Sequence, residues 1–266
     1  MPTSFGDYLT PGVFNFLGGS VGEFVGQVAY IRDELKAKKV GVLVLNVPQA
    51  TSAAEALVKA PLATAGITAT IVPTDPAATD YTPALTAIMR DNPDVITVLN
   101  TGAPCGQILQ ARGALGITTP TLFPSACSDA AFIEAGGSGA DGVIFSMETL
   151  LPALFPDDPE VKTFTAAMKE FADVEGDAIT AYAQSSFVNI YNVGQVLNEV
   201  KGDITPAAVL ATTAASKNHD SPMAGEYTCD GSVQPTFPTI CNAAIWFVQR
   251  DGDTWKSLSD DWFRGS

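Results

Sequence analysis

The stretch DVITVLNTGAPCGQILQARGALGI, from Asp94 to Ile117, decides the fold. Its apolar, β-branched residues stop abruptly in the loop NTGAPC (Asn100 to Cys105), after which a helix-like pattern resumes at Gln107. A short apolar run, a loop and a helix in this order form the repeating unit of parallel α/β sheets. We therefore expect the loop at the carboxyl edge of such a sheet, where ligands bind.

The same alternation extends to both sides of this stretch. Five apolar runs rich in β-branched residues predict buried parallel strands, and the segments between them have the period and length of helices. We expect one doubly wound sheet from about Ala37 to Ser146. The predicted strands are Val40–Asn46, Thr68–Thr74, Asp94–Thr101, Thr119–Pro124 and Gly142–Ser146.

Residues at the predicted helix ends agree with this pattern. Ser52 and Glu55 have the spacing of a capping box, which predicts a helix start at Ser52. Gly66 and Gly116 stand where helices must stop before the next strand.

After Ser146 the pattern changes to helices without sheet strands of their own. Helices are predicted within 159–176, 178–202 and 205–216, and a hairpin turning at Asp251-Gly252 follows an irregular segment. Such helices need a partner surface. The second half is either part of a domain whose sheet is not fully present, or a set of helices packed on the first sheet.

Charge and hydropathy exclude several classes of partner. The chain has 266 residues and a formal net charge of −15, from 29 acidic and 14 basic residues, whereas nucleic acids and anionic membranes need a basic face. No stretch approaches the roughly 18 apolar residues of a membrane span. The start, Met1 to Ser4, does not have the pattern of a signal peptide.

The four cysteines form two local pairs, Cys105 with Cys127 and Cys229 with Cys241. Such pairs predict disulfides and hence an exported protein, and the first would join loops after neighbouring strands. The alternative for that pair is two buried, reduced thiols. The only histidine, His219, lies in a polar segment that predicts a surface loop, so we expect no metal site.

Catalytic and cofactor motifs are missing from the sequence. It contains no HExxH, SxxK or phosphate-binding GK[ST] motif, and the glycines between Gly136 and Gly142 are followed by a predicted strand and not by the helix that would receive a phosphate, so we expect no cofactor and no enzyme activity. The alternative that includes catalysis is a cytoplasmic doubly wound enzyme that uses Asp129 or Cys127 at the carboxyl edge of the sheet.

Several long segments together resemble a known family. They are PGVFNFLGGSVGEFVGQVAYIRDELKAKKVGVLVLN, DYTPALTAIMRDNPDVITVLNTG, ITAYAQSSFVNIYNVGQVLNEV and AIWFVQRDGDTW, and they resemble the type I periplasmic solute-binding proteins of the branched-chain amino-acid (leucine-binding) class. The resemblance implies two α/β lobes, joined by three crossovers, that close on a small organic solute. It implies a non-catalytic, monomeric receptor that is either periplasmic or a cell-surface lipoprotein and that delivers its solute to a membrane ABC permease. The alternative is the ligand-sensing domain of a receptor.

The resemblance also divides the chain. Residues 18–146 with 239–266 would be lobe two, and 1–17 with 147–238 the remainder of lobe one and the crossovers. Members of this family usually have a signal peptide and a further βαβ segment ahead of this region. We expect a partial sequence of a longer product, because lobe one without a sheet would expose apolar helix faces; the alternative is a shortened lobe one. The exposed residues would include Phe187, Ile190, Tyr191 and Val193.

Site residues carried over from the resemblance lie in three loops after strands. Amino-acid-binding members often place tyrosines in the first two loops and an acid in the third. This sequence departs from that pattern, and Asp129 is the only carboxylate nearby. The solute is therefore expected to be amino-acid-like or a less basic relative. The predicted ligand-binding residues are Asn46, Gln49, Thr101, Gly102, Ser125 and Ser128, with Ala103 leaving room for an apolar group.

Overall fold

The computed structural model describes residues 5–265, so the sequence-based interpretation of Met1 to Ser4 lies outside the described residues. The described chain divides into two compact units. Unit 1 comprises the residues up to Glu23 together with Glu148–Trp246 and Trp262–Arg264, and unit 2 comprises Phe24–Met147, Phe247–Asp261 and Gly265. The assignment of these units to the two lobes of a binding protein stays a prediction.

The strands of unit 2 form a seven-stranded sheet of order β2-β1-β3-β4-β5-β8-β9. The pairs β1/β2, β1/β3, β3/β4 and β4/β5 are parallel, and the hairpin β8/β9 is antiparallel. The predicted doubly wound parallel sheet is thereby confirmed. The strands of the described chain, including β6 and β7 of unit 1, are β1 Lys39–Leu45, β2 Thr68–Thr74, β3 Val95–Val98, β4 Thr121–Pro124, β5 Ile144–Met147, β6 His219–Ser221, β7 Ala224–Tyr227, β8 Trp246–Asp251 and β9 Thr254–Ser257.

The central strands are buried on both faces, which is why they appear in the sequence as continuous apolar runs. Every residue of β3, β4 and β5 is buried. Helix α5 (Thr82–Met89) packs closely on β1, because a Cβ added at Gly41 would lie 2.3 Å from a methyl carbon of Ile88. The core of unit 2 is therefore the contact between this sheet and its helices.

The helices of unit 2 lie between its strands. Gly66 (φ +75°) and Gly116 (φ +61°) adopt the left-handed conformation where helices end, as predicted. Besides α5 the helices are α2 Gly19–Asp33, which begins in unit 1, α3 Pro48–Ala53, α4 Ala60–Thr64, α6 Pro104–Ala114 and α7 Ala130–Gly136. A π-helical segment, Ala54–Lys59, joins α3 to α4 without a break.

The predicted capping box is wrong. The helix begins at Pro48, so Ser52 lies inside α3 and not at its start. Proline favours the first turn of a helix because its fixed φ is helical and its missing N–H is not needed there. Glu55 instead forms an ion pair with Lys59 one turn later, at 3.0 Å.

Unit 1 is mainly helical. Its helices in the described chain are α1 Phe5–Leu9, α8 Pro159–Ala172, α9 Ala181–Glu199 and α10 Pro206–Ala215, and the last three were predicted. Asp158, Thr180 and Thr205 cap them by accepting backbone N–H groups of the first turn. No helix within residues 5–265 is both long and apolar enough to cross a bilayer.

The segment that the sequence analysis took to be irregular contains a short antiparallel hairpin, β6/β7. His219 lies on β6 and not in a loop; its ring stacks on Tyr227 at 5.2 Å between centroids, and its Nδ1 lies 3.2 Å from a carboxylate oxygen of Glu199. Strands of three and four residues are too short to show a period of two in the sequence, which explains the error.

Two apolar clusters lie among the described residues of unit 1. One joins α8 and α9 to the start of the chain and to the β6/β7 hairpin, and the other surrounds the Cys229–Cys241 disulfide. The buried members of the first cluster are Leu17, Val161, Phe164, Ile179, Val188 and Met223. The second cluster contains Phe16, Val196, Tyr227 and the two cysteines.

Candidate ligand-binding site

The order of the strands in unit 2 points to one place on its sheet. The chain passes from β1 outward to β2 and then returns to β3 on the other side of β1, so the strand order reverses between β1 and β3. In open α/β sheets a crevice forms at this switch point, at the carboxyl ends of the strands. The loops that follow β1 and β3 both leave the sheet there.

The loop after β1 carries Asn46 and Gln49. The backbone N–H of Asn46 donates to the carbonyl oxygen of Thr74 at the end of β2, at 2.7 Å, which fixes the direction of the loop. Gln49 is the second residue of α3. Both side chains are exposed, so both can meet a solute.

The loop after β3 carries Thr101, Gly102 and Ala103. Gly102 has φ +72°, a conformation that residues with a Cβ rarely adopt, and its carbonyl oxygen accepts the N–H of Cys105 at 2.9 Å. Thr101 and Ala103 are exposed on either side of this turn. The turn thus presents one hydroxyl and one small apolar side chain.

The loop after β4 is a 3₁₀ turn, Ser125–Cys127. The backbone N–H and the hydroxyl of Ser128 both donate to the carbonyl oxygen of Ser125, at 2.9 and 2.8 Å. Ser125 and Ser128 are buried, whereas Asp129, next in the chain, is half-buried. The two serines therefore form part of the wall of this edge, and the exposed polar groups come from the first two loops.

The Cys105–Cys127 disulfide joins the second loop region to the third, with a Cα–Cα distance of 5.3 Å. Its two sulfur atoms lie 3.9 and 3.3 Å from the carbonyl oxygen of Asn100. Cys229 and Cys241 are also bonded, so both predicted disulfides are confirmed and no cysteine is free. Cys127, one of the two residues that the enzyme alternative named, is therefore not a free thiol.

A buried polar cluster that the sequence analysis missed lies at the same edge. Asn100 donates from Nδ2 to the hydroxyl of Thr74 at 3.3 Å, and Thr74 donates to the carbonyl oxygen of Val44 at 3.1 Å. Burial raises the pKa of Tyr81, while the neighbouring side chains of Thr74 and Asn100 act in the opposite direction; the Tyr81 hydroxyl itself is buried without a hydrogen-bond partner among the described residues. A tyrosine directly before a predicted helix, in the polar segment DYTP, was the available signal.

The charges at this edge have one sign. The loop regions at the carboxyl ends of β1 to β4 contain three acids, Asp75, Asp80 and Asp129, and no lysine or arginine. Such an edge repels anions and favours neutral or positively charged groups. No cluster of three His, Cys, Asp or Glu side chains suited to a metal ion occurs in the part of the chain that the structure describes. The four loop regions in which these charges were counted are residues 45–53, 74–82, 99–107 and 124–132.

In doubly wound α/β proteins, polar loops at the switch point of the sheet are the usual place for a ligand. The family model of the periplasmic binding proteins matches residues 4–245, and the chain belongs to this family. No curated protein matches the chain significantly.

Solved structures share the fold at low identity. A leucine-binding protein from Thermotoga maritima is 16% identical with a TM-score of 0.75, and the match covers 95% of this chain and 69% of that one. A branched-chain amino-acid ABC transporter protein from Thermus thermophilus with bound valine is 14% identical, TM-score 0.75, covering 96% and 68%. An ABC transporter substrate-binding protein from Aeropyrum pernix is 15% identical, TM-score 0.76, covering 99% and 70%.

Proposed function

We propose that this protein is the solute-binding component of an ABC importer outside the cytoplasm, and that it binds a small organic solute for delivery to a membrane permease. Membership of the periplasmic binding protein family supports the binding role. The observation that carries the proposal is the convergence of exposed polar side chains at the switch point of the unit 2 sheet. The role needs only one copy of the chain.

The solute in this proposal is neutral or zwitterionic and amino-acid-like. Asn46, Gln49 and Thr101 offer hydrogen bonds, Gly102 lets the backbone turn closely, and Ala103 leaves space for an apolar group. Asp129 supplies a negative charge at this edge, where no basic side chain is present to bind a carboxylate. A leucine-binding protein and a protein with bound valine, both of the same fold, agree with this class of solute.

The four cysteines and His219 support the proposed location and the proposed lack of turnover. Two disulfides in one chain favour an oxidising compartment. With no free thiol, and with His219 stacked on Tyr227 in unit 1, neither cysteine nor histidine chemistry is part of the proposed site. Binding and release are the whole of the proposed activity.

Calorimetric titration of the oxidised protein tests the proposal with matched probes. L-Leucine and isocaproate share the same apolar body, but isocaproate has no ammonium group. We expect L-leucine or L-valine to bind and isocaproate not to bind. Gln49→Ala and Thr101→Ala should each raise Kd about tenfold, the loss expected from one solute hydrogen bond. Thr118→Ala, an exposed threonine ahead of β4 at the opposite edge of the sheet, should leave Kd unchanged.

Two outcomes would overturn the proposal. One is the absence of binding by both L-leucine and L-valine. The other is a loss of affinity that is the same for Thr101→Ala and Thr118→Ala, since the site would then not lie at the switch point.

A further inference from the structure

Arg112, on α6, is a buried cation without a counter-ion. Only 5% of its surface is exposed. Its Nε donates to the hydroxyl of Thr121 at 3.3 Å, and its Nη1 donates to the carbonyl oxygens of Gly139 and Asp141 at 2.7 and 2.9 Å. All three acceptors are neutral, and no carboxylate of the described residues forms an ion pair with Arg112. Buried charges in proteins are normally paired, because their removal from water costs a large free energy.

The remaining guanidinium nitrogen, Nη2, has no acceptor among the described residues. It is nevertheless not sealed from solvent, whereas the unpartnered hydroxyl of Tyr81 is. Burial lowers the pKa of Arg112, and the negative charge of Asp141 only opposes this shift. The two N–H groups of Nη2 can therefore bind an acceptor from outside the chain.

Arg112 lines a pocket in unit 2 at the amino ends of β4 and β5, the opposite edge of the sheet from the switch point. The pocket has a volume of about 760 Å³, which is within the range of small-molecule sites. Its walls come from α2 and the turn after it, from the segment between α6 and β4, from the start of β5 and from the residue after β9. The apolar residues of this lining are Tyr30, Leu35, Ile117, Pro120, Ile144 and Leu258.

We propose that this pocket binds a small monocarboxylate with an apolar chain, whose carboxylate accepts hydrogen bonds from Nη2 of Arg112. All the N–H groups of Nε and Nη1 are already used within the chain, so the two-nitrogen grip by which arginine holds a phosphate is blocked. Asp141 lines the same pocket, and its negative charge disfavours a dianion. A single negative charge on an apolar body fits what remains of the lining.

The apolar lining favours a chain longer than that of an aliphatic amino acid. Leu35 and Leu258 are only half-buried, so a hydrocarbon chain can still cover part of their surface. Each methylene that is buried strengthens binding about fourfold. Octanoate should therefore bind about tenfold more tightly than isocaproate, which has two carbons fewer. The pocket is separate from the switch point, and Arg112→Gln assigns any weak isocaproate binding to it.

Calorimetric titration of the oxidised protein with octanoate and octan-1-ol tests this proposal, because the two probes share a chain and differ in charge. We expect octanoate to bind at least tenfold more tightly than octan-1-ol, and Arg112→Gln to weaken octanoate binding at least tenfold. Arg90→Gln is the matched control. It removes the same charge from an exposed arginine of unit 2 that does not line the pocket, and it should leave Kd for octanoate unchanged.

A second variant leaves Arg112 in place, because Arg112→Gln also removes hydrogen bonds to Gly139 and Asp141 that support the fold. Ser138 is exposed and lines the same pocket, so Ser138→Asp introduces a carboxylate that can act as an internal counter-ion. We expect this variant to have a higher thermal midpoint than the unsubstituted chain. It should also bind octanoate at least tenfold more weakly, although it folds.

Three outcomes would overturn the proposal. The first is the absence of octanoate binding by the unsubstituted chain. The second is equal binding of octanoate and octan-1-ol, since the pocket would then not bind a charge. The third is an equal loss of affinity in Ser138→Asp and Arg90→Gln, which both lower the net charge by one, because the charge of the whole molecule and not Arg112 would then control binding.

Discussion

Glu148 accepts a hydrogen bond from the backbone N–H of Gly19, the first residue of α2, across 129 positions of the sequence. The side chain is 2% exposed, and its other carboxyl oxygen has no hydrogen-bond partner among the described residues. Burial raises the pKa of Glu148 to about 7, and the bond from Gly19 opposes this only in part. Tyr8, whose hydroxyl accepts the N–H of Val21 at 3.3 Å, and the buried Glu23 belong to the same region of unit 1.

The first prediction is a loss of stability as the pH rises. The folded pKa of Glu148 lies above its ordinary value of 4.5, so the folded state binds the proton more tightly than the unfolded state does. The stabilisation is complete below about pH 4.5 and is lost as the pH rises through about 7; the shift corresponds to about 3 kcal/mol at most. Urea unfolding between pH 4.5 and 8 measures it.

The neutral variant Glu148→Gln isolates this effect. It should remove most of the slope of unfolding free energy against pH and should be more stable than the unsubstituted chain at pH 8. Glu226→Gln, an exposed glutamate of the same unit, is the control and should keep the slope. An unchanged slope in Glu148→Gln would show that another group titrates in this range.

The second prediction separates the roles of the two disulfides. Each closes a short loop, with sequence separations of 22 and 12, so replacing either pair by serine should lower the free energy of unfolding by about 3 kcal/mol. Only the Cys105/Cys127 pair joins two loop regions at the candidate site. Its double serine variant should therefore also raise Kd for the solute, whereas the Cys229/Cys241 double variant should not. Equal effects on Kd would count against a local role.

The third prediction concerns two glycines with opposite surroundings. A Cβ at Gly139 would lie 1.7 Å from the carbonyl oxygen of Leu109 in α6, so Gly139→Ala must push the 3₁₀ segment Gly137–Ala140 away from that helix. We expect a loss of about 3 kcal/mol, as for severe overpacking. Gly194→Ala adds a methyl group in open space and should stabilise the helix by about 0.5–1 kcal/mol. Chemical denaturation in dilute solution compares them.

The fourth prediction distinguishes a residue that stabilises the fold at the switch point from a residue that contacts the solute there. Asn100 is fully buried, so Asn100→Ala should cost about 2 kcal/mol of unfolding free energy by leaving Thr74 and Tyr81 without their polar neighbour. Thr101 is exposed, and Thr101→Ala should change stability by less than about 0.5 kcal/mol while weakening solute binding. The reverse pattern, with Thr101→Ala the more destabilising, would contradict this division.

The central strands could be predicted because they are buried on both faces. For β1 the predicted span Val40–Asn46 lies one residue from the observed Lys39–Leu45, and β2 agrees completely. The Cys105–Cys127 bond followed from the same logic, since parallel neighbours β3 and β4 bring their following loops together. Continuous apolar runs are enough to predict where the strands lie in the sequence. The order of the strands in the sheet then predicts which loops lie next to each other.

Contacts that depend on register could not be predicted. Asn100 meets Thr74 because Leu45 pairs with Thr74 across β1 and β2 and because β3 lies on the other side of β1. No local pattern in the sequence contains that pairing. The exposed side of α9 was anticipated at Ile190, Tyr191 and Val193, which are exposed, whereas Phe187 is half-buried against the first apolar cluster of unit 1.

The strand order of unit 2 has a consequence for biosynthesis. Strand β8 lies beside β5 in the sheet, yet residues 148–246 are translated between them. The ribosome therefore releases β5 as an open edge, and it stays open while most of unit 1 is made. Only when Phe247 and Trp255 emerge can they stack on Tyr30 and Phe145, which were synthesised much earlier. A nascent chain arrested before residue 247 would leave that edge free to pair with other polypeptides, so a chaperone that protects strand edges would act during this interval.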